Sequence, residues 1–265
     1  MEYKQQFRPR KRLGQNFLID KNIQRKIIQL CQITPEDVVL EIGAGRGELT
    51  RSIAQVTQKL FALEIDPYLY AILKSNLAGF SRVKLIKQDI LDFNISRYFK
   101  DSAKIKVIGN LPYSITTPII AHLLKFHDKI KFIFITVQKE FARRMVATEG
   151  TSDWSALSCF LQYHSEPHIL FLIKKTCFRP QPKVDSAFVR LRLREEFPLD
   201  NKRERQLFKI IRLSFQQRRK TLRNALAGAI SNQRLNRYFN RYNIDRNIRG
   251  EQLSLRDFIN LVNVN

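Results

Sequence analysis

The chain has 265 residues, 44% hydrophobic and 11% aromatic, which suits one large domain with or without a small companion and excludes a disordered chain. Lys and Arg number 47 against 24 Asp and Glu, a net charge of +23 that selects polyanionic partners, either nucleic acid or an anionic membrane face. No apolar run reaches the ~18 residues of a membrane span, and the basic start "MEYKQQFRPRKRLGQNFLID" lacks the apolar stretch of a secretory signal.

Cys31, Cys159 and Cys177 are an odd count at wide spacings, and four histidines are scattered. This pattern predicts neither a disulfide framework nor a metal site, and it fits a reducing cytoplasm.

In chain order, Ile23, Ile27, Ile28 and Leu30 have helical spacing and predict a helix over 21–31. A short apolar strand follows at Val38–Ile42, then a glycine turn and a helix from about Glu48. "KLFALEID" (59–66) reads as the next strand, and Pro67 opens a helix running to about Leu77. "RVKLIKQDI" (82–90) and "KIKVIGN" (104–110) read as a third and fourth strand. A helix over 117–126 precedes a fifth, "KFIFITV" (131–137), and a helix near 138–147. "HILFLI" (168–173) and "SAFVRLRL" (186–193) read as two more strands. Alternating strands and helices predict an open parallel sheet with helices on both faces.

From about residue 195 the strand signals stop. Residues 190–265 hold 18 basic and 7 acidic residues, a net charge of +11. The expected division is an α/β domain over 1–194, with a basic N-terminal leader, and a small all-helical domain over 195–265.

Gly43, Gly45 and Gly47 stand between a predicted strand and a helix, where glycines permit a tight turn and close approach of a ligand to the backbone. A dinucleotide site would place its third glycine at position 48, which is Glu48. The G-x-G-x-G spacing suits a smaller ligand without a pyrophosphate, such as S-adenosylmethionine. Glu64 ends the next strand, 21 residues after Gly43, and can accept hydrogen bonds from ribose hydroxyls. Asp89, at the end of the third strand, can accept from an adenine amino group. These strand ends describe one crevice.

Asn110 ends the fourth strand beside that crevice. An aromatic exocyclic amine is a poor nucleophile because its lone pair is delocalised into the ring. Two carbonyl acceptors, the Asn110 side chain and the Leu111 backbone held by Pro112, can draw such a nitrogen towards tetrahedral geometry. Tyr113 offers a face on which a base stacks, worth roughly 1–3 kcal/mol.

Together "GQNFLID" (14–20), "EIGAGRGELT" (41–50), "ALEID" (62–66), "GNLPYSITTP" (109–118), "QKEFARRM" (138–145) and "FRPQPKVDSAFVRL" (178–191) resemble the rRNA adenine N6-dimethyltransferases. The likeness spans about residues 8–260 and leans to the small-subunit KsgA/RsmA branch through "GQNF", "NLPY" and "FQQRRKTLRNAL" (215–226), rather than to the Erm macrolide-resistance branch. It implies a Rossmann-like class I S-adenosylmethionine-dependent methyltransferase domain with a C-terminal helical domain. Cofactor contacts are implied at Asn16, Leu18, Gly43, Glu64, Asp89 and Asn110, and target-base contacts at Asn110, Leu111, Tyr113 and Phe178. Ala44 replaces a proline common among relatives, and Arg46 adds a charge beside the turn.

The implied reaction dimethylates two adjacent adenines near the 3′ end of small-subunit rRNA within an immature 30S particle. The enzyme is expected to be a cytoplasmic monomer with no metal and no membrane contact. Lys4, Arg8, Arg10, Lys11 and Arg12 in the leader, with Arg218, Arg219, Lys220 and Arg223 in "QQRRKTLR", are expected to meet RNA phosphates. The alternatives are the same chemistry on large-subunit rRNA, a non-enzymatic RNA- or DNA-binding relative, or a DNA adenine methylase, against which the helical domain argues.

Overall fold

A computed structural model describes residues 15–100 and 102–264. The leader cations Lys4, Arg8, Arg10, Lys11 and Arg12 lie outside the described residues.

The first elements are a two-residue strand β1 (Phe17–Leu18) and helix α1 (Lys21–Cys31). The Asp20 carboxylate caps α1, accepting from Asn22 N at 2.8 Å and Ile23 N at 3.1 Å, which satisfies orphan amides of the first turn. Strands β2 (Val38–Ile42), β3 (Lys59–Leu63), β4 (Val83–Ile86), β5 (Ile105–Asn110) and β6 (Ile130–Gln138) alternate with helices α2 (Glu48–Ala54), α3 (Pro67–Asn76), α4 (Ile95–Tyr98) and α5 (Thr116–Leu124). Helix α6 (Lys139–Val146), helix α7 (Ala156–His164), strand β7 (Ser165–Ile173), the short β8 (Phe178–Arg179) and β9 (Ser186–Leu193) follow.

The seven-stranded sheet has the order β4-β3-β2-β5-β6-β9-β7. Pairing is parallel from β4 through β6, as the sequence predicts, but β9 runs antiparallel to β6. The sheet is therefore mixed. An apolar run has the same pattern in either direction, so the orientation of β9 was not readable from its residues. Helix α7, between 156 and 164, and the β1–β8 pair also have no clear signal in the sequence.

From β2 the chain proceeds outward through β3 and β4, then returns to β5 on the other side of β2. The strand order reverses at that point, which opens a crevice at the carboxyl ends of neighbouring strands. The register aligns those ends, with Ile42 opposite both Leu63 and Gly109. Whatever follows these three residues is thereby brought to one place.

The chain forms two compact units. One takes the described residues up to Ala142 and His168–Leu193, and the other takes Arg143–Pro167 and the residues from Arg194 onward. The expected division at 194/195 thus acquires a second element, since 143–167 groups with the helical unit. The reason is packing: Trp154, Cys159 and Tyr163 share a core with Leu207, Ile211, Leu226, Phe239 and Phe258, and Trp154 Nε1 donates to Leu253 O at 3.0 Å. Helices α8 (Asn201–Gln216), α9 (Leu222–Ala225), α10 (Asn232–Tyr242) and α11 (Leu255–Asn263) complete this unit. Gly250 passes so close to α8 that an added Cβ would lie 2.5 Å from Ser214 Cβ.

Candidate active site

Strand β2 is buried along its whole length, and the chain leaves it through glycines at positive φ: 69° at Gly43, 61° at Gly45 and 88° at Gly47. Other residues are strained in that region. Gly43 N and Ala44 N both donate to Leu63 O, at 3.0 and 3.1 Å. Gly45 N donates to Glu64 Oε2, and Asp66 N to Glu64 Oε1, both at 2.9 Å. Glu64 is thus a clamp on the glycine turn as well as a cavity carboxylate. Burial raises its pKa, while the Asp66 and Gly45 amides oppose that shift.

Asp89 lies three residues beyond the end of β4, not at the strand end as the sequence suggested. Its Oδ1 accepts from Leu91 N at 2.9 Å, capping a 3-10 turn at Ile90–Asp92. Asn110 is the last residue of β5, and its Nδ2 donates to Asn16 O at 2.7 Å. The partner segment is held by the antiparallel pairing of β1 with β8 and by Ile19 N donating to Cys177 O at 2.9 Å. The Phe17 ring would lie 3.2 Å from a Cβ on Gly45, and the Arg46 guanidinium stands 5.2 Å from that ring's centre. A side chain at position 45 would require the Phe17 ring to give by a few tenths of an ångström, on top of the strain of a positive φ.

These elements enclose a cavity of about 240 Å³ whose walls include Asn16, Gly43, Glu64, Asp89 and Asn110. Apolar Ile65 and Ile115 also border it and are 46% and 37% exposed. Leu18 borders a smaller adjoining space of about 40 Å³, shared with Gly43 and Asn110. Five of the six proposed cofactor residues therefore converge on one cavity, and the sixth adjoins it.

The target-base residues are placed differently. The Leu111 side chain is buried and abuts Gly109. Tyr113 lies outside the cavity wall, and its hydroxyl bonds Ser186 Oγ at 2.6 Å. The Phe178 ring is 2% exposed in an apolar cluster with Leu18, Ile108 and Phe188. It is not among the cavity walls and packs in the core instead.

The basic cluster is also rearranged. Helix α8 ends at Gln216, so Arg218, Arg219 and Lys220 occupy a turn rather than successive helical turns. Arg218 Nε bonds Glu251 Oε2 at 2.6 Å. Arg223 donates to Asn232 Oδ1 at 3.1 Å and Asn236 Oδ1 at 2.6 Å, with its guanidinium over the Phe239 ring. Arg219 and Lys220 are exposed, with no ion pair to another described residue.

The ribosomal RNA adenine dimethylase family model matches residues 6–265. The chain belongs to the ribosomal RNA adenine dimethylase family. It is 40% identical to "Ribosomal RNA small subunit methyltransferase A" of Lachnoclostridium phytofermentans, over 96% of this chain and 90% of that protein. It is likewise 40% identical to the protein of that name from Clostridioides difficile, over 98% and 92%. A dimethyladenosine transferase from Plasmodium falciparum superposes with a TM-score of 0.77 at 26% identity, covering 92% of this chain and 95% of that one. The 23S rRNA methyltransferase ErmE shares the fold, with a TM-score of 0.75 at 24% identity over 93% and 98%. The family's name and these relatives' names describe enzymes acting on ribosomal RNA adenine. One wall residue has no role in the sequence reading: Glu41, buried near the end of β2 beside the smaller cavity. Its signal is a charge inside an apolar strand.

Proposed function

We propose that this enzyme transfers methyl groups from S-adenosylmethionine to the N6 amines of two adjacent adenines near the 3′ end of small-subunit rRNA, acting as a monomer on an immature 30S particle in the cytoplasm. The observation that carries the chemistry is the Asn110–Asn16 bond. With Nδ2 committed to Asn16 O, the Asn110 amide is oriented with Oδ1 as its remaining acceptor. The small-subunit substrate rests on near-full-length relatives that bear that name.

The residues present fit the cofactor. Gly43 and Gly45 expose backbone where a side chain would intrude, Glu64 and Asp89 offer carboxylates for ribose and adenine, and Ile65 supplies an apolar wall. When bound, the cofactor supplies a methyl group on a sulfonium. Asn110 Oδ1 and the Leu111 carbonyl each accept one N–H of the adenine amine, which localises its lone pair and aims it. Such alignment contributes about 7–11 kcal/mol of a barrier. Tyr113 is assigned to stacking with the extruded base, which requires its ring to be presented at the cavity mouth. Lys and Arg side chains, including Arg219 and Lys220, supply phosphate contacts that position the RNA.

The test is mapping of methylated adenines in ribosomal RNA from cells with and without the protein. Loss of two neighbouring dimethylated adenines from small-subunit rRNA is expected. Loss from large-subunit rRNA alone would replace this reading by the resistance-type activity.

A further inference from the structure

Strand β6 is buried over 133–137 and ends in the half-buried Gln138. Parallel pairing sets Asn110 opposite Thr136, and antiparallel pairing sets Gln138 opposite Ser186. Paired residues share a face, and alternate residues of a strand return to it. Asn110, Gln138 and Ser186 therefore project to one side of the sheet. Ser186 Oγ bonds the Tyr113 hydroxyl at 2.6 Å, so Gln138 is the cross-strand neighbour of the group that holds Tyr113. One strand over and two residues along, its Cα lies about 8 Å from that of Asn110.

Asn110 borders the cavity assigned to S-adenosylmethionine, and neither Tyr113 nor Gln138 does. That cavity spreads from Asn110 over the ends of β2 and β3 and the turn after β4. Tyr113, Gln138 and Ser186 lie on the other side of Asn110, towards β6 and β9. A base held there meets the methyl donor across Asn110.

The bonding capacity on that side is unbalanced. Adenine presents two N–H donors at N6 and bare acceptors at the flanking ring nitrogens N1 and N7. Asn110 Oδ1 and the Leu111 carbonyl are both acceptors and suit only the amine. Asn110 Nδ2 is committed to Asn16 O, and the Tyr113 and Ser186 hydroxyls to each other. A ring nitrogen taken out of water without a donor is costly. The Gln138 side-chain amide bonds no other described residue, and it offers two N–H donors.

We propose that Gln138 reads the target base, its Nε2 donating to a ring nitrogen flanking the amine while Asn110 and Leu111 accept from N6. This rests on the assignment of Asn110 and Leu111 to the target amine. A first transfer places a methyl on N6 in place of one hydrogen, which leaves as a proton. The monomethylated amine can then serve only one of the two acceptors. Its ring nitrogens are unchanged, so the Gln138 bond carries a larger share of the alignment in the second transfer. Loss of Gln138 slows the second methylation more than the first.

The experiment is single-turnover transfer from labelled S-adenosylmethionine to immature small subunits whose rRNA carries a ligated synthetic 3′ segment. The target positions hold adenosine, 1-deazaadenosine or 7-deazaadenosine, each analogue keeping the amine but replacing one ring nitrogen by C–H. Wild type is expected to slow about tenfold to a hundredfold with one analogue, as for a stranded donor, and little with the other. Gln138→Met keeps the length of the side chain without the donor. It should slow on adenosine by a similar factor, treat that analogue and adenosine alike, and accumulate monomethyladenosine. Its thermal unfolding and its calorimetric affinity for S-adenosylmethionine should match wild type. The wild-type comparison stands even if the variant fails to fold. Indifference of wild type to both analogues, or a Gln138→Met protein that still discriminates between them, overturns the proposal. Absence of transfer from wild type to ordinary adenosine overturns the functional reading on which it rests.

Discussion

Asn110 Nδ2 donates to the backbone carbonyl of Asn16 across 2.7 Å, joining the last residue of β5 to a segment 94 positions earlier in the chain. The bond orients the amide and pins the cavity wall at once. Asn110→Ala should therefore slow methyl transfer by about 10²–10³-fold, by analogy with loss of one positioned oxyanion-hole donor. RNA affinity should change little, because it is spread over many phosphate contacts. Asn110→Asp should be as slow, since a carboxylate repels the Asn16 carbonyl. Single-turnover transfer of labelled methyl groups to immature small subunits, with binding followed separately, checks both. Normal transfer by Asn110→Ala would sink the mechanism.

Tyr113→Phe keeps the ring that stacking needs, so methyl transfer should slow only mildly. Its effect on stability should be larger. Ser186 is fully buried and shares a 2.6 Å hydrogen bond with the Tyr113 hydroxyl. Removing one partner strands the other, which costs about 1–3 kcal/mol. Urea unfolding should show that loss for Tyr113→Phe, with part of it recovered in the Tyr113→Phe/Ser186→Ala double variant. A single variant as stable as wild type would show the bond to be unimportant.

Glu64→Ala should weaken S-adenosylmethionine binding by about 1.5–3 kcal/mol, the range for hydrogen bonds to a charged group. It also frees the Gly45 and Asp66 amides that the carboxylate holds, so hydrogen exchange at Gly45 should accelerate even without cofactor. Unchanged affinity in a calorimetric titration would remove Glu64 from the site.

Glu41 gives the cofactor-free protein a stability that depends on pH. Its folded pKa of about 8 lies above the ordinary value of 4.5, so between these values the folded state holds a proton that the unfolded state has lost. Stability should fall as pH rises through that window. Burial of Glu64 contributes in the same direction. Glu41→Gln should therefore stabilise the free protein relative to wild type at pH 8, with the gain shrinking towards pH 4.5. Thermal unfolding across that range reads the difference, and a pH-independent difference would contradict the assignment.

Arg219 and Lys220 should carry salt-dependent RNA binding more than their neighbours do. Substituting both with Ala should lower the slope of log affinity against log salt by roughly 0.7–0.9 for each phosphate that is no longer neutralised. Arg223→Ala should instead destabilise the helical unit, because that guanidinium already bonds Asn232 and Asn236. Equal slope changes for Arg219 and Arg223 would contradict this division.

By itself the sequence determined the local elements and their chemistry. Apolar runs marked strands β2 to β6, Gly43, Gly45 and Gly47 marked the turn, and the family's motifs were legible in short stretches whose residue types have few alternative uses. The convergence of Gly43, Glu64 and Asn110 was also foreseeable, since parallel strands in an open sheet end on one edge. Tertiary structure alone decided what depends on partners distant in the chain. The reversed β9 needed its pairing with β6, and the return of 143–167 to the helical unit needed Trp154 to reach Leu253. Likewise, Arg218 and Arg223 look identical to Arg219 in a basic run until Glu251, Asn232 and Asn236 are brought beside them. A side chain's type states what bonds it can make, but which of those bonds it has already made is fixed only when the chain closes.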